Sequence, residues 1–88
     1  MNFWVYVIRN PQQRIYIGQT EDLEKRVIQH NDPLNSFSRT TKLYPGPWIL
    51  VYAEEFSKRS EALRRERVLK SGQGRAWLHE SILAVNPP

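Results

Sequence analysis

Phe3-Trp4-Val5-Tyr6-Val7-Ile8-Arg9, then Asn10-Pro11-Gln12-Gln13, then Arg14-Ile15-Tyr16-Ile17-Gly18-Gln19, is the stretch on which the fold turns. Residues 3–9 are aromatic and β-branched, which predicts a strand. Both alternating sets of positions are apolar, so the strand expects cover on both faces. Pro11 fixes φ in the turn, and residues 14–19 return as the second strand. Directly opposed residues of an antiparallel pair point to the same side. Tyr6 and Tyr16 therefore share a face if the connecting loop has an odd length, which is the expected arrangement.

After the hairpin, Thr20 is the expected N-cap of a first helix, with Glu21 and Asp22 favouring the positive end of its dipole. That helix runs to about His30, packs Leu23, Val27 and Ile28 on the sheet, and stops at Asn31-Asp32-Pro33. Arg26 and His30 are neighbours on its surface at i,i+4 spacing. Residues 33–47 form a long loop containing Ser38-Arg39-Thr40-Thr41-Lys42, of a length that is often functional. Trp48–Ala53 reads as a third strand whose unbroken apolar run suits a central or doubly covered position. Ser57 is the expected cap of a second helix from Lys58 to Lys70, closed by Gly72. A shorter last helix holds Ala76, Trp77, Leu78, Ile82 and Leu83, and Pro87-Pro88 is expected to fray. The order β-β-α-β-α-α implies an α/β (α+β) domain, with a central three-stranded antiparallel sheet flanked by three helices. Residues 1–88 suit a single domain.

The chain has no cysteine, which excludes disulfides and thiolate zinc sites. It lacks an apolar run long enough for a membrane span and a secretion-signal pattern, so a cytoplasmic location is expected. The net charge is +4 with a pI of about 9.8. The excess is local: Lys58, Arg59, Arg64, Arg65, Arg67, Lys70 and Arg75 face only Glu61 and Glu66 over that interval. A basic stripe suits a polyanion such as nucleic acid, while a solvated helix face is the plainer explanation.

Glu66 resists a purely structural explanation. Ala62 and Leu69 lie on one stripe of the second helix, and Glu66 falls between them, on the face that should meet the sheet. A carboxylate there loses solvation unless a cation or donors compensate. A divalent metal would do so; an i,i+4 salt bridge to Lys70 is the ordinary alternative. Tyr6 and Tyr16 taken singly read as core aromatics, Arg26 as a surface arginine, and His30 as a complement to the helix dipole.

Together these blocks resemble the GIY-YIG nuclease family, and in detail its small single-domain bacterial members, related to the nuclease module of the UvrC repair protein. Trp4-Val5-Tyr6 and Tyr16-Ile17-Gly18 match the two halves of the motif. Leu23–Val27 with His30-Asn31, and Ala62–Glu66 with Leu69-Lys70, match the helices carrying the family's arginine and metal-binding glutamate. The resemblance implies a metal-dependent endonuclease hydrolysing DNA phosphodiester bonds with one Mg2+ or Mn2+ ion, in repair or on single-stranded or structured DNA. The alternative is a nucleic-acid-binding module with the same fold and little or no cleavage. Carried over, Tyr6, Tyr16, Arg26, His30 and Glu66 are catalytic, with Glu66 holding the metal, Tyr6 acting as general base and Arg26 steadying the phosphate. Arg39, Lys42, Arg59, Arg65 and Lys70 are the expected nucleic-acid contacts. Trp4 stands where the first motif has glycine, and Gln19 where some members have lysine. No attached recognition domain is expected, so sequence specificity comes from a protein partner or the Ser38–Lys42 loop, or is absent.

Overall fold

A computed structural model describes residues 2–32, 34 and 43–83. The strands are β1 (Phe3–Arg9), β2 (Ile15–Thr20) and β3 (Ile49–Phe56). The helices are α1 (Leu23–Asn31), α2 (Arg59–Lys70) and α3 (Gly72–Leu78), and a π-helical turn, His79–Leu83, extends the last. The sheet is antiparallel with strand order β2-β1-β3.

The central strand is therefore β1, not β3. Val5, Tyr6, Val7 and Ile8 are all buried, so both faces of β1 are covered, as its sequence requires. On one face Val5, Val7 and Ile17 pack with Ala62, Leu69 and Leu78 beneath α2 and α3. On the other, Tyr6, Ile8 and Trp48 pack with Tyr16, Leu23 and Val27 beneath α1. Each fully buried aliphatic side chain contributes on the order of 1.5–3 kcal/mol of hydrophobic stabilisation. The apolar run at 48–53 has a different reason from the one its sequence suggests. Trp48 precedes the strand and is buried, whereas Ile49 and Leu50 are exposed on an edge. The strand continues to Phe56 because the polar pair Glu54-Glu55 still bonds to β1. A register shift opposite Val7 and Ile8 makes Val51 the extra residue, and it lets Val51 and Tyr52 both pack beneath α2.

The caps also move. Asp22, not Thr20, caps α1, its Oδ1 accepting the Lys25 amide hydrogen at 3.0 Å. Thr20 stays in β2 opposite Trp4, and its Oγ1 accepts from the Asp22 amide at 3.1 Å. A carboxylate two residues nearer the helix takes the orphan donor and interacts favourably with the helix dipole. Ser57 does not cap α2: Lys58 occupies that position without a side-chain bond. At the far end Ser71 caps α3 through the Gly74 amide at 3.1 Å, so Gly72 opens the next helix as well as following α2. Ile28 is 65% exposed and Trp77 is 38% exposed, so neither joins the core. The expected fraying at Pro87-Pro88 and the expected Arg39 and Lys42 contacts fall outside the described residues.

Candidate active site

The hairpin register decides the site. Tyr6 stands opposite Gly18 and Ile8 opposite Tyr16, so Tyr6, Tyr16 and Gly18 are on one face. The ring centroids of the two tyrosines are 6.2 Å apart. Gly18 is required by close approach. A Cβ there would meet Tyr6 Oη at 2.7 Å, Tyr6 Cζ at 2.9 Å and Tyr16 Cε2 at 2.9 Å. The phenol of Tyr6 lies across the glycine, and no larger residue fits beneath it.

α1 closes over this face. Its sequence places Leu23, Val27 and His30 on the inner side, and His30, in the last turn, is 4% exposed. His30 Nε2 lies 2.6 Å from Tyr6 Oη in a buried hydrogen bond. The His30 ring also sits 4.8 Å from that of Tyr16 and 5.6 Å from that of Tyr6, centroid to centroid. Burial, and then the neighbouring Arg26 charge, lower the His30 pKa to about 4. Its imidazole is therefore neutral at pH 7. Burial also pushes the Tyr6 hydroxyl well above the usual phenol range; Tyr16 adds to the rise, and the Arg26 charge and hydrogen bond oppose it. Tyr6 thus holds its proton between a neutral imidazole and a guanidinium.

Glu66 reaches the same group electrostatically, as the weakest contribution raising Tyr6. Its side chain is 19% exposed and its Oε2 lies 2.6 Å from Lys70 Nζ. The ordinary i,i+4 pair is thus formed, and it compensates the carboxylate on the inner flank of α2. Outside the aromatic cluster, a polar cleft of about 340 Å³ is lined by Gln19, Thr20, Glu21, Asp22, Lys25, Arg26, Gln29 and Arg59. Asp22, Lys25, Arg26 and Gln29 follow i, i+3, i+4, i+7 spacing, so one stripe of α1 forms one wall. That spacing was available in the sequence and would have pointed to Lys25 and Gln29.

The expected nucleic-acid contacts divide. Arg59 lines the cleft, is paired with Glu21 and lies 5.0 Å over the Phe3 ring. Lys70 holds Glu66. Arg65 does not join them. Its guanidinium binds both oxygens of Glu54 on β3 at 2.9–3.1 Å and lies 5.2 Å over the Trp77 ring. Burial works against the Glu54 charge, but the Arg65 and Tyr52 hydrogen bonds outweigh it and hold the carboxyl below its usual range.

The donor set suits a hard cation with few protein ligands. Among the described residues no group of three or more His, Cys, Asp or Glu side chains could hold a metal. Two candidate oxygen donors are the Glu66 carboxylate on α2 and the amide oxygen of Gln19 on β2. Gln19 Oε1 is buried without a hydrogen-bond partner among the described residues. Gln19 stands opposite Val5, on the side of β2 that α2 covers. Such oxygens fit Mg2+ or Mn2+, which retain waters in their shell.

The family model described as the GIY-YIG catalytic domain matches residues 2–77. The chain is 37% identical to the UPF0213 protein of Staphylococcus saprophyticus, covering 77% of this chain and 79% of that one. It is 37% identical to the UPF0213 protein of Haloquadratum walsbyi, covering 97% and 94% respectively. The solution NMR structure of the UPF0213 protein BH0048 from Bacillus halodurans superposes with a TM-score of 0.54 at 28% identity, over 91% of this chain and 84% of that one. With the two motif tyrosines on one face of the hairpin and the family model spanning most of the chain, the chain belongs to the GIY-YIG nuclease family.

Proposed function

We propose that the protein is a metal-dependent endonuclease that hydrolyses DNA phosphodiester bonds in the cleft between α1, β2 and α2. The observation that carries this reading is the 2.6 Å contact between Tyr6 Oη and His30 Nε2, beside Tyr16 and Arg26. A Tyr6 hydroxyl with a raised pKa is a poor base alone. Coupled to a neutral imidazole it becomes a relay. The attacking water oxygen bonds to phosphorus as its proton passes to Tyr6 Oη, while the Tyr6 proton passes to His30 Nε2. The opposite P–O bond breaks, and the leaving oxygen takes a proton from solvent. Arg26 donates to non-bridging oxygens, where negative charge grows. The incoming phosphate also raises the proton affinity of His30, which Arg26 depresses in the free protein. Tyr16, half-buried against His30, fixes the rim of the relay.

Glu66 and Gln19 are the residues that would hold the metal, which supplies phosphate polarisation and stabilisation of the leaving oxygen. Lys70 then turns from Glu66 to the phosphate backbone. Arg59 and Lys25 contact flanking phosphates, and Arg39 and Lys42 belong to the same proposed surface. Arg65 serves mainly to dock α2 on β3. The basic balance and the absence, among the described residues, of any helix able to cross a membrane are consistent with a cytoplasmic DNA-processing role.

One observation favours a second reading, a module that binds nucleic acid and cuts little: Tyr6 is 0% exposed. Cleavage requires Arg26 to swing toward substrate and uncover the phenol. Incubation with single-stranded, duplex and branched DNA and with RNA, in Mg2+, Mn2+ or EDTA, separates the two. Metal-dependent cutting lost in Glu66→Ala supports the nuclease; salt-sensitive binding without cutting of any substrate supports the module.

A further inference from the structure

We infer that Asn31 is a positioning residue for the Tyr6–His30 pair, an assignment that rests on reading the pair as the proton relay. Asn31 is the last residue of α1 and follows His30 in the chain. Its Oδ1 accepts the Trp48 amide hydrogen at 2.6 Å, and its Nδ2 donates to the Trp48 carbonyl at 2.8 Å. The same Nδ2 donates to Val27 O at 3.2 Å, one turn back in α1. The side chain therefore pairs with one backbone residue as a neighbouring strand would, and ties that residue to the helix end.

The residue it holds matters. Trp48 is 2% exposed and packs in the same cluster as Tyr6 and Ile8. One side chain thus closes a ring of contacts. Asn31 is covalently next to His30, it clamps Trp48, Trp48 packs with Tyr6, and Tyr6 bonds His30. The fit is close: a Cβ on Gly46 would come within 3.0 Å of Asn31 Oδ1. The clamp needs a donor and an acceptor on a short stem. Aspartate keeps the acceptor and loses the donor; glutamine is longer by a methylene; alanine has neither. Without the clamp, the last turn of a short helix loses its tie to the Trp48 backbone, and the placement of the imidazole rests more on the contacts of the ring itself. Among the described residues, the groups bordering that imidazole include Tyr6 from β1, Tyr16 from β2 and Arg26 from α1.

The test reads the imidazole directly. The full chain, 15N-labelled, is examined at pH 7 by long-range 1H–15N correlation, with the exposed His79 as internal reference. His30 in the wild type is expected to give a single neutral tautomer. In Asn31→Ala, His30 is expected to show averaging between tautomers, with kcat down 10- to 100-fold and KM changed less than 3-fold. Asn31→Asp is expected to fall between, because it still accepts from Trp48. Asn10→Ala is the matched control. Asn10 Oδ1 accepts from the Gln12 and Arg14 amides and its Nδ2 donates to Pro45 O, so it is a comparable loop staple away from His30. Asn10→Ala should lose stability and keep the His30 tautomer. If Asn31→Ala does not fold, the Asp variant carries the comparison. An unchanged His30 pattern in the Asn31 variants overturns the assignment. So does equal disturbance by Asn10→Ala. A wild type that cuts no substrate overturns the nuclease reading alone, since the tautomer still reports on the clamp.

Discussion

Burial holds Tyr6 and His30 in protonation states that neither would keep so firmly in water. A buried phenol retains its proton, and a buried imidazole beside Arg26 does not take one. The His30 pKa is lower in the folded state than the ordinary value of 6.5. In that interval the unfolded chain binds more protons, so stability rises with pH there. The contribution is complete above about pH 6.5, is lost as pH falls toward about 4, and amounts to roughly 3 kcal/mol. Urea denaturation from pH 7.5 to pH 4.5 should show a loss of this order that His30→Gln largely abolishes; an equal loss in the variant would contradict it. Gly18→Ala puts a methyl group 2.7 Å from a hydroxyl already bonded to His30. Relief requires moving a buried ring, at about 1–3 kcal/mol. Cutting should fall at least tenfold, with a lowered urea midpoint; wild-type activity in a folded Gly18→Ala protein would contradict the packing argument. The shared face of the tyrosines was legible from strand parity. The need for glycine beneath Tyr6 was not, because it depends on which residue stands opposite, and register is set only when the sheet forms.

At the scale of elements, local capping chemistry and tertiary packing were not equally legible. Thr20 and Asp22 both suit a helix start, and only the strand pairing of Thr20 opposite Trp4 decides for Asp22. Asp22→Ala should cost about 1 kcal/mol, while Ser57→Ala should cost no more than a few tenths; thermal melts of the two variants distinguish them, and similar losses would contradict the assignment. α2 and α3 meet at Gly74. A Cβ there would stand 2.0 Å from Val68 O and 2.6 Å from Leu69 Cα. Backbone cannot yield as a flexible side chain can, so Gly74→Ala must unseat α3 and with it Leu78, a member of the core. A loss of about 2–4 kcal/mol is expected in denaturant titration, and a loss under 0.5 kcal/mol would contradict the contact. Nothing local in Gly72-Gln73-Gly74 marks the third residue as the crossing point. The edge position of β3 was hidden for a similar reason. Its apolar run looks central, yet Ile49 and Leu50 are exposed and Glu54 is neutralised by Arg65 from another element.

Across the whole molecule, the number of cations overstates the surface available to a polyanion. Arg59, Arg65 and Lys70 each have a carboxylate partner in the fold: Glu21, Glu54 and Glu66. A short phosphate footprint follows, carried by the cleft rim rather than by all of α2. The salt slope of DNA binding should correspond to only a few phosphate contacts; Arg59→Ala should lower it by about one unit and Arg65→Ala should not change it. The same view explains why Glu66 drew attention in the sequence. It sits where apolar residues flank it, and Lys70 satisfies it in the free protein. In the proposed mechanism Glu66 serves hydrolysis as a cation ligand and Tyr6 as a proton relay. Cleavage of single-stranded, duplex and branched DNA by wild type, Glu66→Ala and Tyr6→Phe, with Mg2+, Mn2+ or EDTA, tests both roles at once. Wild type should cut in a metal-dependent way, with cutting abolished in EDTA and reduced at least 100-fold by either substitution. Cutting that persists in EDTA or in the Glu66→Ala protein would contradict that mechanism.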